Sequence, residues 1–397
     1  MGCVQCKICI QQEEKSQFEY SNSNPNPKKK EDIILNENIN YFNYVSEANK
    51  YQKNDSKFIE EFNQKIKLIG KYISEEDFDA LISELTNINS NIPKESFPFK
   101  KNDNTFSYKM PPVEFEQGNI YYGEWNENME MDGNGKYYLK KEKVLAEGLW
   151  EQGELKKARI YYPTGEYYEG EISNSIYNGK GKFINENKDE YIGEFLDGEK
   201  NGQGKLNFND GTTYEGIFLK NNFYGRGVMK WKNGVNYTGN FANNFIEGNG
   251  VLNFEKEKYE GNFEKNLFHG KGKYTYINGD EYDGDFEYGI RKGKGVYKMN
   301  NNDNIIFEGM WDNNVPNGFG KFNYNNNIIK CNYHNGNIVE KPEDENGLNY
   351  NNINYHILYN FFEQKMNLSG IKLPHIELFD NIGSQFKADS VLSFLEE

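Results

Sequence analysis

The sequence predicts a mostly β protein: an elongated, single-layer antiparallel β-meander of about nine to ten hairpins, flanked by N- and C-terminal α-helices. Three observations carry that expectation. A pattern of a central glycine with an aromatic two residues before it, after it or both returns with glycines at 123, 148, 170, 193, 216, 239, 261, 284 and 309, in steps of 22 to 25 residues. Of the 39 glycines, 34 lie between Gly118 and Gly336, so this stretch has a composition of its own. Within each copy, aromatics and glycine are two residues apart, the spacing that places them on one face of a strand. A fixed period of this length marks a repeat array, which grows by stacking neighbours.

The first strand of a copy reads Tyr121, Gly123, Trp125, and then Tyr168, Gly170, Ile172 and Tyr191, Gly193, Phe195. It continues as Tyr214, Gly216, Phe218; Tyr237, Gly239, Phe241; Tyr259, Gly261, Phe263; and Tyr282, Gly284, Phe286. Gly309 and Trp311 follow Phe307 in the last full copy. A Gly-x-Gly about nine residues on, such as Gly202 and Gly204, opens a second strand whose Leu206 and Phe208 share the same face. The other face carries charge: Glu169 and Glu171 with Lys180 and Lys182, or Asp283 and Asp285 with Lys294. Opposite charges on neighbouring strands contribute about 0.2–1 kcal/mol a pair. Glycine either lets a ring from a neighbouring strand lie flat over the backbone or supplies the positive φ of a sharp turn. Asn209-Asp-Gly211, Lys232-Asn-Gly234 and Ile277-Asn-Gly279 are hairpin signals between copies, and Asp197-Gly198 fits a turn inside one.

This pattern resembles the MORN (membrane occupation and recognition nexus) repeat over residues 119–335. The resemblance implies a twisted single-layer sheet whose aromatic face is a groove for a peptide or helix, or whose rings serve to pack adjacent hairpins. Departures mark individual copies. Ala146-Glu-Gly148-Leu-Trp150 has Ala158-Arg-Ile160 where Gly-x-Gly is expected, Phe307 stands for Tyr, and Ile329-Lys-Cys331-Asn-Tyr333 reads as a terminating half-repeat. Some relatives carry a lipid-kinase or methyltransferase domain; the 62 residues after Asn335 are too few for either.

The N-terminus, Met1-Gly2-Cys3-Val-Gln-Cys6-Lys7, resembles the acylated tip of Src-family kinases of the Fyn type. That resemblance implies myristate on Gly2 and palmitate on Cys3 and Cys6, with Cys9 a further acceptor, although Cys6 stands where the motif has Ser or Thr. One acyl chain holds a membrane marginally and two hold it stably. Read as a metal site, Cys3, Cys6 and Cys9 lack a fourth ligand nearby.

The expected organisation is a tail and linker at 1–31, a helical region at 32–92, an extended lead-in with Pro93, Pro98, Pro111 and Pro112 at 93–118, the array at 119–335 and a helical cap at 336–397. Ile39, Phe42 and Val45 share one face. Phe58, Phe62, Ile66 and Ile69 predict a helix over about 57–72. Ser74-Glu-Glu-Asp77 reads as a capping box variant before a second stripe of Phe78, Leu81, Ile82, Leu85 and Ile88. These helices pack on themselves, on the start of the array, or on a partner. Ile353, Ile357, Leu358, Phe361, Phe362 and Met366 form a C-terminal stripe that covers the open sheet end, docks a partner or pairs two copies.

A net charge of −15 argues against nucleic acid and against an array held flat on anionic lipid by bulk charge. Four cysteines, three of them at the N-terminal tip, make no disulfide framework and suit a reducing compartment. No run approaches a membrane span, and Met1–Ile10 lacks the apolar stretch of a secretory signal. No Walker loop, kinase-type glycine loop or EF-hand spacing occurs, and His269, His334, His356 and His375 are unpaired at metal spacing. No catalytic residue, metal or cofactor is expected. The expected function is a non-enzymatic scaffold on the cytoplasmic face of a plasma, cortical or ciliary membrane. It binds protein partners through the aromatic face or the C-terminal helix. Direct phospholipid binding by the array and a soluble structural role in a cytoskeletal or ciliary assembly are the alternatives.

Overall fold

The computed structural model describes residues 56–88, 107–300, 305–324, 327–339 and 343–344. The expected helix around Ile39, the tip expected to be acylated at Gly2, Cys3 and Cys6, and the C-terminal stripe from Ile353 lie outside the described residues. The strands are antiparallel throughout and belong to one open sheet. The chain divides into two compact units at Lys200/Asn201.

The first unit begins with α1 (Ser56–Ile69), β1 (Gly70–Tyr72) and α2 (Glu75–Ile88). Helix α1 ends three residues before the expected boundary, because Gly70 enters a strand instead. Its missing side chain lets β1 lie against the Glu114 carbonyl on β3 (Val113–Phe115). Ser74 caps α2: the Asp77 amide donates to Ser74 Oγ at 3.0 Å, and Ser74 Oγ donates to Asp77 Oδ2 at 2.7 Å, so the second bond joins the two side chains in this variant of the expected box. Glu75, Glu76 and Asp77 add negative charge at the positive end of α2.

The expected lead-in contains two short strands, β2 (Tyr108–Lys109) and β3, both paired with β4 (Ile120–Trp125) and separated by Pro111-Pro112. Proline cannot donate to a ladder, which explains the break. Strands β5 (Met131–Leu139), β6 (Val144–Glu151), β7 (Glu154–Tyr161), β8 (Tyr167–Ser173), β9 (Ile176–Ile184) and β10 (Glu190–Leu196) follow, each paired with the next.

The two helices spend their apolar faces on the first hairpin, one on each side of it. On α1, Phe58 stacks on Tyr108 at 3.7 Å and Phe62 meets Trp125 edge-on at 5.0 Å. On α2, Phe78, Ile82 and Leu85 form a buried cluster with Ile120, Tyr138 and Leu145. Ile120 and Tyr122 alternate with Tyr121, so α2 occupies the face opposite the rings. That face is apolar here, where later copies place Glu190, Thr213, Asn236, Lys258 and Glu281 at the position of Ile120. Leu81, expected in the α2 stripe, is among the exposed apolar residues.

The second unit is a continuous run: β11 (Glu199–Asn207), β12 (Thr213–Leu219), β13 (Asn222–Lys230), β14 (Asn236–Ala242), β15 (Phe245–Phe254) and β16 (Glu257–Glu264). It goes on through β17 (Leu267–Thr275), β18 (Glu281–Glu287), β19 (Ile290–Lys298), β20 (Ile306–Asp312), β21 (Val315–Tyr324) and β22 (Asn327–His334). Two short strands, β23 (Asn337–Ile338) and β24 (Glu343–Asp344), both pair with β22 and blunt its edge.

Candidate docking surface

Across the array, glycine stands opposite glycine. In the second unit the row runs Gly204, Gly216, Gly227, Gly239, Gly250, Gly261, Gly272, Gly284, Gly295, Gly309, Gly320 and ends at the buried Cys331. In the first unit it runs Gly123, Gly135, Gly148, Ala158, Gly170, Gly181, Gly193.

The tyrosine two residues before the glycine requires this row. The Tyr214 ring lies along the sheet over Gly216 and Gly227, where an added Cβ would stand 2.6 and 2.7 Å from its hydroxyl oxygen. Phe218 of the same copy and Phe241 of the next meet that ring edge-on at 5.2 and 5.1 Å, and Phe223 stacks on it at 3.8 Å. The same edge-on pairs recur for Tyr191 with Phe195, for Tyr237 with Phe241 and Phe263, for Tyr259 with Phe263 and Phe286, and for Tyr282 with Phe286 and Trp311. Tyr121 is held in the same way by Trp125 and Trp150, and Tyr168 by Phe195 and a stacked Tyr177. Each such contact adds about 0.5–1.5 kcal/mol to the burial of the ring itself.

A bulge completes the unit. Between Gly216/Gly227 and Ile217/Tyr224 the register shifts, leaving Gly225 and Arg226 without partners on β12. A bulge bends the strand and frees backbone groups. The Tyr214 hydroxyl donates to the Ile217 carbonyl at 2.9 Å. Equivalent bonds run from Tyr121 to Glu124, Tyr168 to Glu171, Tyr191 to Glu194, Tyr237 to Asn240, Tyr259 to Asn262 and Tyr282 to Asp285. Burial pushes these phenols well above their usual pKa, which keeps them protonated as donors. The first glycine of Gly-x-Gly has a different task from the second: Gly225 is at φ +60° in the bulge, beneath the Ile217 side chain.

The expected aromatic groove is therefore closed by its own rings. Tyr121, Tyr168, Tyr191, Tyr214, Tyr237, Tyr259, Tyr282 and Phe307 are fully buried, and Trp125, Phe195, Phe218, Phe241, Phe263, Phe286 and Trp311 nearly so. The aromatic face packs hairpin on hairpin and offers a partner none of these rings. Two copies place a cation among them. Arg291 lies over Trp311 at 4.6 Å and donates to the Tyr276 hydroxyl and the Asn314 carbonyl. Lys200 lies over Tyr191 at 5.6 Å, and burial lowers its pKa from 10.5 to about 8.

On the opposite face the charges pair mainly between hairpins, contrary to the expected pairing within them. Lys271 meets Asp285 at 2.7 Å, Arg159 meets Glu169 at 3.4 Å and Lys136 meets Glu147 at 3.2 Å. Glu169 and Lys182 do stand in register within one hairpin, but the Lys182 ammonium pairs with Glu190. Asp285 accepts the Lys294 backbone amide at 3.0 Å, so the bulge diverts that expected pair as well.

That face also carries exposed apolar side chains. Leu219, Tyr224 and Phe245 are 42%, 45% and 43% exposed. Tyr224 stands opposite Ile217, Ala242 stands opposite Phe245, and the Gly225–Phe241 pair brings Tyr224 beside Ala242. This side-chain cluster on β12–β15 is the candidate docking surface. The alternation of ring and non-ring positions in the sequence contained it, masked by the stronger aromatic signal. Among the described residues no group of three or more His, Cys, Asp or Glu is placed to hold a metal ion. No described helix is long and apolar enough to cross a membrane.

No curated protein matches the chain. Among solved structures it is similar to the TCP10 domain of Danio rerio CPAP in complex with a peptide of Danio rerio STIL, at 9% identity and a TM-score of 0.21, covering 62% of this chain and 98% of that one. It is also similar to the Drosophila melanogaster SAS-4 (dCPAP) TCP domain in complex with a proline-rich motif of Ana2 (dSTIL), at 13% identity and a TM-score of 0.13, covering 63% and 94%. Likenesses at these values carry nothing over to this chain. The family model described as MORN repeat matches residues 168–190, 191–213, 214–235, 237–256, 259–281, 282–304 and 307–328. The copies centred on Gly123 and Gly148 lie before the matched segments, where the face opposite the rings is given over to α2. By this match the chain carries seven MORN repeats.

Proposed function

We propose that this protein is a non-enzymatic scaffold, held at the cytoplasmic face of a membrane by acyl chains on Gly2, Cys3 and Cys6, that binds a partner helix on the face opposite its rings. The observation that carries the docking reading is the seat of α2. There an amphipathic helix rests on that same face through Phe78, Ile82 and Leu85, where the array offers Ile120, Tyr138 and Leu145 in place of mostly polar or charged residues. Leu219, Tyr224 and Phe245 repeat that chemistry further along, with no described helix over them. Helix-in-groove recognition uses apolar anchors one helical turn apart, which such a cluster accepts.

The anchor is tested by Gly2→Ala in the full chain. Removing the acceptor of the first acyl chain moves the protein from the membrane to the soluble fraction; unchanged fractionation sinks the anchor. Binding of the Gly2→Ala protein to anionic vesicles at physiological salt would favour direct lipid recognition by the array instead. The paired charges on the face opposite the rings support little such binding.

A further inference from the structure

The same face carries a second apolar group at the C-terminal end of the array. Met310 on β20 and Phe319 on β21, 38% and 55% exposed, adjoin beside the Gly309–Gly320 pair, and Ile328 on β22, 42% exposed, lies four residues farther along the strands, beyond the Lys321–Lys330 pair. They alternate with Gly309, Gly320 and Ile329, which face the rings, so all three side chains lie on the side that α2 uses in the first unit. Asn323 lies between Ile306 and Ile328 in the register, and its buried Oδ1 has no hydrogen-bond partner among the described residues. A buried amide oxygen without a donor is costly and marks a surface completed by something further.

The chain itself supplies a cover. Ile353, Ile357, Leu358, Phe361, Phe362 and Met366 recur at helical spacing, with Asn354, His356, Asn360, Glu363 and Gln364 between them. Strand β24 fixes where this segment starts: Asp344 stands opposite Ile329, the residue next to Ile328. The eight residues 345–352 reach at most about 27 Å. Met310, Phe319 and Ile328 lie within two strands of β22, about 10 Å across the sheet, with Ile328 offset from Phe319 by four residues, about 13 Å along the strands. Phe245 is seven strands away, about 34 Å, and Leu219 farther still.

We propose that residues 353–366 dock as an amphipathic helix on Met310, Phe319 and Ile328 of the same chain. The pair α2 and 353–366 would then cover the non-ring face at both ends of the array, leaving the Leu219–Tyr224–Phe245 cluster open. Phe361 and Phe362 become internal packing residues, unavailable for pairing two copies. The proposal stands whether or not a partner binds the open cluster.

The test is crosslinking in the full chain with Cys3, Cys6 and Cys9 replaced by serine. Phe319→Cys is combined in turn with Phe361→Cys, Ile357→Cys, Asn360→Cys or His356→Cys, and treated with a short bis-maleimide. Expected is a crosslink within one chain for positions 357 and 361, at a yield unchanged on tenfold dilution, and a yield lower by about tenfold at 356 and 360. An intramolecular reaction has an effective concentration set by the linker, so dilution leaves it unaffected. A crosslink between two chains that disappears on dilution would give the site to a second copy and overturn the proposal. So would equal yields at all four positions, or no crosslink at any. Tyr224→Cys with Phe361→Cys is the control for reach; a crosslink there equal to that from position 319 also overturns it.

Discussion

Tyr214 and Gly227 sit on neighbouring strands with no room for a methyl group between them: a Cβ on Gly227 would stand 2.7 Å from both the hydroxyl oxygen and a ring carbon of Tyr214. That contact recurs beneath Tyr121, Tyr168, Tyr237, Tyr259 and Tyr282, with Phe307 taking the same place over Gly320, and explains why the period is written in glycine. It gives a prediction that separates two uses of glycine. Gly227→Ala forces the ring off the backbone and costs about 2–3 kcal/mol, the range for overpacking a filled site. Gly234→Ala meets nothing within 4 Å and suffers only its φ of +89°, costing about 1 kcal/mol. Urea midpoints at unchanged m-value check the ranking. Equal costs would mean that the rings are not what excludes a side chain.

Turns also tie hairpin to hairpin. Asn266, at φ +68° in the turn after β16, donates its amide to the Ile246 carbonyl at 3.0 Å and accepts the Ile246 amide on Oδ1 at 2.7 Å. Asn244 does the same for Phe223 and Asn314 for Arg291. Asn266→Gly keeps the backbone conformation and loses one side-chain bond, about 1 kcal/mol. Asn266→Ala loses the bond and adds a left-handed residue with a Cβ, for a total of about 2–3 kcal/mol. Faster hydrogen exchange at the Ile246 amide in both variants identifies the bond as the source.

Lys200 predicts a pH dependence. Burial holds its folded-state pKa near 8, below the ordinary 10.5, so between those values the unfolded chain binds more protons than the folded one. Stability therefore rises with pH across that window. Below pH 8 the folded protein carries the whole penalty of a charged amine among rings. Lys200→Met is expected to stabilise the protein most below pH 8, with the advantage shrinking toward pH 10.5. Melting of both proteins from pH 7 to pH 10 checks this, since the buried tyrosines titrate alike in the two. A constant difference across that range contradicts it.

Much of this architecture was legible as spacing. Tyrosine, glycine and phenylalanine two residues apart announced strands, a period of 22 to 25 announced hairpins, and Ser74 with Asp77 announced the start of α2. The bulge was hidden, because Gly-x-Gly reads the same whether its first glycine bends the strand, as Gly225 does, or its second clears a ring, as Gly227 does. The turns were half hidden. Asp197-Gly198 is a recognisable pair, whereas Lys220-Asn221 and Asn313-Asn314 adopt the same positive φ at both positions without glycine. The exposed apolar cluster of Leu219, Tyr224 and Phe245 is hidden for a different reason. Sixteen per cent aromatic content draws attention to the ring side, and only the register shows that the rings cover one another. The clue lay in Ile120, Tyr122, Tyr138 and Leu145, apolar where later copies are mostly polar or charged, which is the signature of a face already occupied by a helix.

The central claim is that the face opposite the rings holds the partner at Leu219, Tyr224 and Phe245. Its most direct test compares the proteins recovered with the full-length chain from its own cells against those recovered with the variant Leu219→Asp, Tyr224→Asp, Phe245→Asp. A control carries Lys230→Asp, Lys232→Asp and Lys256→Asp. The first variant alone is expected to lose its specific partner, by tenfold or more, while melting within a few degrees of the parent chain. A partner retained in full by the folded first variant would contradict that claim.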